Sequence, residues 1–246
     1  MKAYRLITTI YCWIVVFLVT VIIGSFGVIL SIIAPKHVIK YATRPWGYCL
    51  IRGCGIKVRI EGLDNIPDEP CVIMYNHQSA IDIPFYCGFL PIEWRAIMKD
   101  DVAKIPFVGW VSKLTGQYFV ARDGSKRDTE QVKNIAKQIR NGPPVILAPE
   151  GTRSPDGKLL PFQKGGFIIA LLARIPVVPV VISGGYEIMP KGSLSIKPGT
   201  MSMKIFPPID VKSLPQGKAG REELESLVRD LMMKGLGEYD TMRIAS

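Results

Sequence analysis

No charged residue occurs between Arg5 and Lys36. A run of that length exceeds the roughly 20 apolar residues that cross a bilayer as a helix. It is also longer than the apolar region of a cleavable signal peptide, about 7 to 15 residues. A helix apolar on every side is a poor candidate for the core of a small soluble protein, where one face normally meets water. Two readings follow. The run is either a single tilted spanning helix, or two shorter helices hinged where Gly24, Ser25 and Gly27 interrupt it, dipping into one leaflet and returning. Lys2 and Arg5 precede it, and Lys36, Lys40, Arg44, Arg52, Lys57 and Arg59 follow with no acid before Glu61. That excess of positive charge on the C-terminal side places the rest of the chain at the cytoplasmic face of the inner membrane. Basic residues at both ends suit a hairpin touching one anionic leaflet.

His37, Lys40, Tyr41, Arg44, Trp46, Tyr48 and Arg52 interleave bases with aromatics. Such interleaving occurs in nucleic-acid binders. Directly after a membrane segment, an interfacial belt explains it better, and no nucleic-acid partner is expected. The formal net charge of +10 fits an anionic membrane surface or a phosphorylated small molecule equally well. The five cysteines lack paired metal-ligand spacing, so buried reduced thiols are expected and no metal site. Neither a GxxxxGK[ST] nor a GxGxxG pattern is present.

From residue 56 onward short strands alternate with helices. Strands are predicted over 57–61, 71–75, 94–98, 117–121, 145–148 and 177–182. Helices are predicted over 80–90, 108–114, 125–141, 167–174 and 221–234. Two further strands, 194–197 and 201–206, are expected around a turn at Pro198-Gly199. In the 125–141 helix, Val132, Ile135, Ala136 and Ile139 recur at helical spacing, and Gly142 ends it. The pattern implies one α/β domain, residues 56–246, with a mixed, largely parallel central sheet flanked by helices. Residues 1–55 form a separate membrane helix or hairpin with its interfacial stretch.

The strand 71–75 runs into Asn76-His77-Gln78-Ser79-Ala80-Ile81-Asp82. The chain has two histidines, and His77 is the one in an apolar setting beside a carboxylate, the natural base for proton transfer near neutral pH. On one continuous helix, positions five apart diverge by about 140°. His77 and Asp82 therefore meet only if His77 lies in a loop and Asp82 in or just before the first helical turn, with Ser79 or Asp82 as N-cap. The carboxylate then reaches back to one ring nitrogen and fixes the tautomer. Spacing alone serves equally well a capping Asp and an ordinary loop His. A second constellation, Pro149-Glu150-Gly151-Thr152-Arg153-Ser154, also follows an apolar strand. It offers a carboxylate, a hydroxyl and a guanidinium able to grip phosphate, or it is a polar turn. Lys99 at a strand end and the segment 116–122, ending in Arg122, add cations. Ile175-Pro176-Val177-Val178-Pro179-Val180 reads as a core strand.

Taken together, the His-x4-Asp block, 116–122, Glu150-Gly151-Thr152-Arg153-Ser154 and 175–180 resemble, in order, the four blocks of the glycerolipid acyltransferases. Within that family the chain looks like a bacterial 1-acylglycerol-3-phosphate O-acyltransferase. The second block departs slightly, with Val120-Ala121-Arg122 where an Ile-Asp-Arg-like ending is common. The resemblance implies acyl transfer from a thioester of coenzyme A or acyl carrier protein to lysophosphatidic acid, yielding phosphatidic acid, with no cofactor beyond that co-substrate. It implies His77 as general base and Asp82 as its support. Glu150, Gly151, Thr152 and Arg153, with Arg122 and Lys99, would then hold the acceptor.

Overall fold

A computed structural model describes residues 2–121 and 126–244. The apolar run folds as one unbroken helix, α1 (Lys2–Ile33). The hinge anticipated at residues 24–27 is not there. Gly24 is instead where Phe107 packs against the helix, its Cβ 3.0 Å from where a Cβ on Gly24 would stand. The chain turns at Ala34 and Pro35, and after two short helical turns α2 (Arg44–Gly53) runs back along α1. The antiparallel pairing is fixed by Trp46 Nε1 donating to Thr20 Oγ1 at 3.1 Å and by Cys54 lying against the Cys12 carbonyl.

After β1 (Lys57–Glu61) and β2 (Val72–Tyr75) comes α3 (Asp82–Phe89). Then β3 (Arg95–Lys99), α4 (Val108–Leu114) and β4 (Tyr118–Val120) follow. Next are α5 (Lys126–Ile139), β5 (Val145–Leu147), α6 (Lys164–Ala173) and β6 (Val177–Ser183). The chain closes with α7 (Gly185–Ile188), β7 (Thr200–Ile205) and α8 (Gly217–Ile244). The seven strands form one sheet in the order β1-β7-β6-β2-β5-β3-β4. Strands β2 to β6 run parallel, whereas β7 is antiparallel to β6 and β1 parallel to β7. This is the mixed, largely parallel sheet expected from the alternation of elements.

Two expectations fail locally. Residues 194–197 form no strand, because the turn at Pro198-Gly199 feeds β7 alone. The segment is held instead by α1, where Trp13 Nε1 donates to the Leu194 carbonyl at 2.8 Å. The last helix also extends well beyond residue 234, with Leu224, Val228 and Met232 fully buried.

Hydrophobic cores fill both faces of the sheet. One joins Ile73 and Tyr75 of β2 to Ile51 of α2 and Phe85 of α3. The other joins Val72 and Met74 of the same strand to α5, α6 and α8. All four residues of β2 are buried, as its place at the centre of a parallel sheet requires. Helices α2 and α3 cross where Gly47 and Gly88 meet backbone to backbone; a Cβ on either would overlap the other helix. The helix that carries Asp82 is thus locked onto the hairpin.

Candidate active site

Strand β2 ends at Tyr75, and the next three residues are each tied down separately. Asn76 is buried and mimics a peptide group. Its Nδ2 donates to the Ile182 carbonyl at 2.9 Å, and its Oδ1 accepts from the Ile182 N–H at 2.7 Å. The Gln78 side chain donates to the Gly157 carbonyl at 2.7 Å. His77 stands between them. Its backbone N–H donates to Glu150 Oε1 at 2.7 Å, and its carbonyl accepts from the Ser154 N–H at 2.8 Å.

The His77 side chain is 14% exposed, and its Nδ1 lies 2.9 Å from Asp82 Oδ2. With a carboxylate opposite it, Nδ1 carries the proton, and Nε2 keeps its lone pair. Asp82 is fully buried at the first position of α3. Its Oδ2 also accepts from the Gln78 and Ser79 backbone N–H groups, each at 2.8 Å. The carboxylate thus reaches back over the loop, as expected, but neither it nor Ser79 caps α3. The N-cap is Ile81, without a side-chain bond. Ser79 Oγ instead donates to the Met189 carbonyl at 2.6 Å. The rings of Tyr75 and His77 meet edge to face at 5.7 Å.

The second block lies against the first. Glu150 is buried, and its other oxygen accepts from the Leu160 N–H at 2.8 Å. Burial raises its pKa, and the N–H groups of His77 and Leu160 only partly offset that. Each carboxylate oxygen accepts a backbone N–H, so Glu150 clamps the His77 loop to its own. Gly151 turns the chain with φ +71°. Thr152 is exposed, and Arg153 is half-buried with no ion pair or hydrogen bond from its guanidinium among the described residues. Lys191 lies beside them and was not singled out by the sequence. Its Nζ donates to the Arg153 carbonyl at 2.8 Å and contacts Thr152 Oγ1 at 3.3 Å. No sequence pattern marked it, because the contact closes across 38 positions.

Lys99 ends β3 at the same sheet edge, two strands away from β2. Its ammonium pairs with Asp101 and is 55% exposed. Lys99 and Lys104 together hold the Asp101 carboxyl below its usual range. Arg122, just past β4, lies outside the described residues. The carboxyl ends of β2, β5, β3 and β4 therefore gather the conspicuous blocks on one rim, the usual location of a ligand crevice in an open α/β sheet. An apolar pocket opens beside this rim, its walls including Gly24, Trp46, Ile83, Tyr86, Phe107 and Val111. Its α3 wall begins one residue after Asp82.

The hydroxyl and thiols near the site that could serve as covalent nucleophiles are withdrawn from solvent. Ser79 and Cys71 are fully buried and Cys87 is 4% exposed. Burial pushes the Cys71 thiol up to about 12 and that of Cys87 higher still. A thiolate is the reactive form, so neither is poised for covalent catalysis. All five cysteines are free, and the described residues contain no cluster of three metal-ligating side chains.

The acyltransferase family model matches residues 57–183. A 1-acyl-sn-glycerol-3-phosphate acyltransferase of Saccharomyces cerevisiae is 33% identical over 226 residues, 87% of this chain and 73% of that one. A Pseudomonas aeruginosa protein of the same description is 35% identical over 158 residues, covering 62% of this chain and 59% of its own length. The crystal structure of the 1-acyl-sn-glycerophosphate acyltransferase PlsC from Thermotoga maritima superposes with a TM-score of 0.82. The two chains are 33% identical, and the match covers 97% of each. The chain belongs to the acyltransferase family that includes the 1-acyl-sn-glycerol-3-phosphate acyltransferases.

Proposed function

We propose that this protein transfers a fatty acyl group from a thioester, on coenzyme A or acyl carrier protein, to the sn-2 hydroxyl of 1-acylglycerol 3-phosphate, making phosphatidic acid. The observation that carries the reading is the 2.9 Å contact between His77 Nδ1 and Asp82 Oδ2, which leaves Nε2 as a base at the rim. Nε2 takes the proton of the acceptor hydroxyl as its oxygen attacks the thioester carbonyl. The C–O bond forms, the C–S bond breaks, and the imidazolium returns the proton to the departing thiolate. Asp82 stabilises that imidazolium without itself being protonated. Such general-base assistance is worth about 10² to 10⁴-fold in rate.

Arg153, whose guanidinium has no partner among the described residues, is the principal grip on the acceptor phosphate. Lys99 and Arg122 are secondary cations, and Gly151 and Thr152 shape the acceptor side. The role inferred for Glu150 from sequence changes from touching substrate to holding His77. The apolar pocket beside α3 suits a hydrocarbon chain.

The membrane arrangement follows from how α1 is fastened. The helix is long and apolar enough to cross a bilayer, and only 11% of its most apolar window is buried. Yet contacts to the α/β body are made along it, from Thr9 and Trp13, at residues 194–196, to Gly24, against Phe107. A spanning helix would carry those loops into the hydrocarbon with it, where irregular backbone is costly. These contacts support a hairpin lying within one leaflet with its exposed residues in lipid, and the basic residues that follow α1 support the cytoplasmic face of the inner membrane. A purified-protein assay offering lysophosphatidate and other lyso-acceptors, with both thioester carriers, tests the reaction. Turnover of none of them would refute it.

A further inference from the structure

The two oxygens of Asp82 are not equivalent. Oδ2 accepts three hydrogen bonds, from His77 Nδ1 and from the Gln78 and Ser79 N–H groups. Oδ1 is buried and finds no hydrogen-bond donor among the described residues. It rests against Gly185, the first residue of α7. A Cβ on Gly185 would overlap Oδ1, and it would also stand 3.1 Å from the Ser79 Cβ. Gly185 is not a glycine for conformational reasons, since its φ lies outside the left-handed region. Its neighbour Gly184 is one, with φ +87°.

From this juxtaposition we infer that Gly185 is a positioning residue for the His77–Asp82 pair: the absence of a side chain there holds the Asp82 carboxylate in the plane that reaches the imidazole. Helix α7 has little freedom to retreat. Its last turn is bound to the same loop through the Ser79 Oγ bond to the Met189 carbonyl, and the Met189 N–H returns to the Gly185 carbonyl at 2.9 Å. A methyl group at position 185 therefore displaces the softest neighbour, the carboxylate. Rotating Oδ1 away necessarily carries Oδ2 off His77 Nδ1. Misplacement of a catalytic group by about 1 Å can cost on the order of 10²-fold in rate.

The inference rests on the reading of His77 as the base, and the test separates the two. In Gly185→Ala, kcat should fall ten- to a hundredfold while the KM for lysophosphatidate stays within twofold. The His77 Nδ1–H proton resonance should shift or be lost. That resonance reports the contact even if His77→Ala were to leave turnover intact, in which case the catalytic reading fails and the positioning does not. A second variant guards against simple misfolding. The carboxylate is removed in Asp82→Ser, so adding Gly185→Ala to that folded parent should lower Tm far less than Gly185→Ala does in the wild-type chain, and the double variant should fold even if the single one does not. Equal Tm losses in both backgrounds, a double variant that fails to fold, or an unchanged kcat with an unmoved resonance would overturn it.

Discussion

The His77 backbone N–H donates to Glu150 Oε1 at 2.7 Å, and the Ser154 N–H answers to the His77 carbonyl at 2.8 Å. Two motifs 73 positions apart are therefore one physical unit. The loop that carries Arg153 is the same loop that sets the height of the imidazole. This relationship organises what the site variants should do.

His77→Ala should abolish acyl transfer and lower Tm only modestly, because the backbone bonds that build the loop do not use its side chain and Asp82 keeps its two backbone N–H donors. A loss on the order of 10² to 10⁴-fold is expected for a missing general base. A folded variant with near-normal turnover in a purified assay would contradict the assignment.

Removing Glu150 should behave differently. Glu150→Ala strands the half-buried N–H groups of His77 and Leu160, each costing up to about 1–3 kcal/mol when left without an acceptor. Both Tm and kcat should fall, Tm further than in His77→Ala. Chemical denaturation and a turnover assay on the same sample check it. A variant that raises only the KM for lysophosphatidate would return Glu150 to the acceptor site.

Glu150 also predicts a pH trend. Burial raises its pKa above the ordinary 4.5, so between that value and the folded-state pKa the native chain binds more protons than the unfolded one. The contribution of this group to stability therefore declines as pH rises through that window, and its cost is fully present above the folded pKa. Relative to Glu150→Gln, the wild-type protein should gain stability on acidification from neutral pH toward 4.5. Urea unfolding of both proteins across that range measures the difference. A gap that widens in the opposite direction would contradict it.

Arg153→Ala should raise the KM for lysophosphatidate severalfold more than that of the acyl donor, since its guanidinium has no partner within the described residues. Lys99→Ala should act more weakly, because Lys99 is 55% exposed and already paired with Asp101. Steady-state kinetics with each substrate varied in turn decides this. Equal changes for both substrates would remove the phosphate role from Arg153.

If α1 lies in one leaflet, a single-cysteine probe at Lys2 and one in the 150–160 loop should react with an impermeant reagent from the same side of the membrane. Opposite sidedness would mean that the helix spans. Serine substitutions at the exposed Ile7, Ile10, Phe17 and Ile22 should weaken vesicle binding without lowering Tm.

Much of this was legible in one dimension because local rules carry it. The charge-free stretch dictates a long lipid-seeking helix. The alternation of strands with amphipathic helices dictates a mixed sheet, and His77 and Asp82 could meet only by placing one in a loop and one at a helix start. Contacts between distant segments were not legible. One is Phe107 packing onto α1 at Gly24, where the helix runs on unbroken. The loss of the 194–197 strand depends on Trp13. Glu150 looked like a ligand group, because nothing in a sequence says that its oxygens accept backbone N–H groups from the His77 loop and from its own. Lys191 and Gly185 were invisible for the same reason. Residue type and spacing encode which groups are available, but only the closing of the sheet brings the ends of β2, β5 and β6 within hydrogen-bonding reach and decides which of those groups remain free.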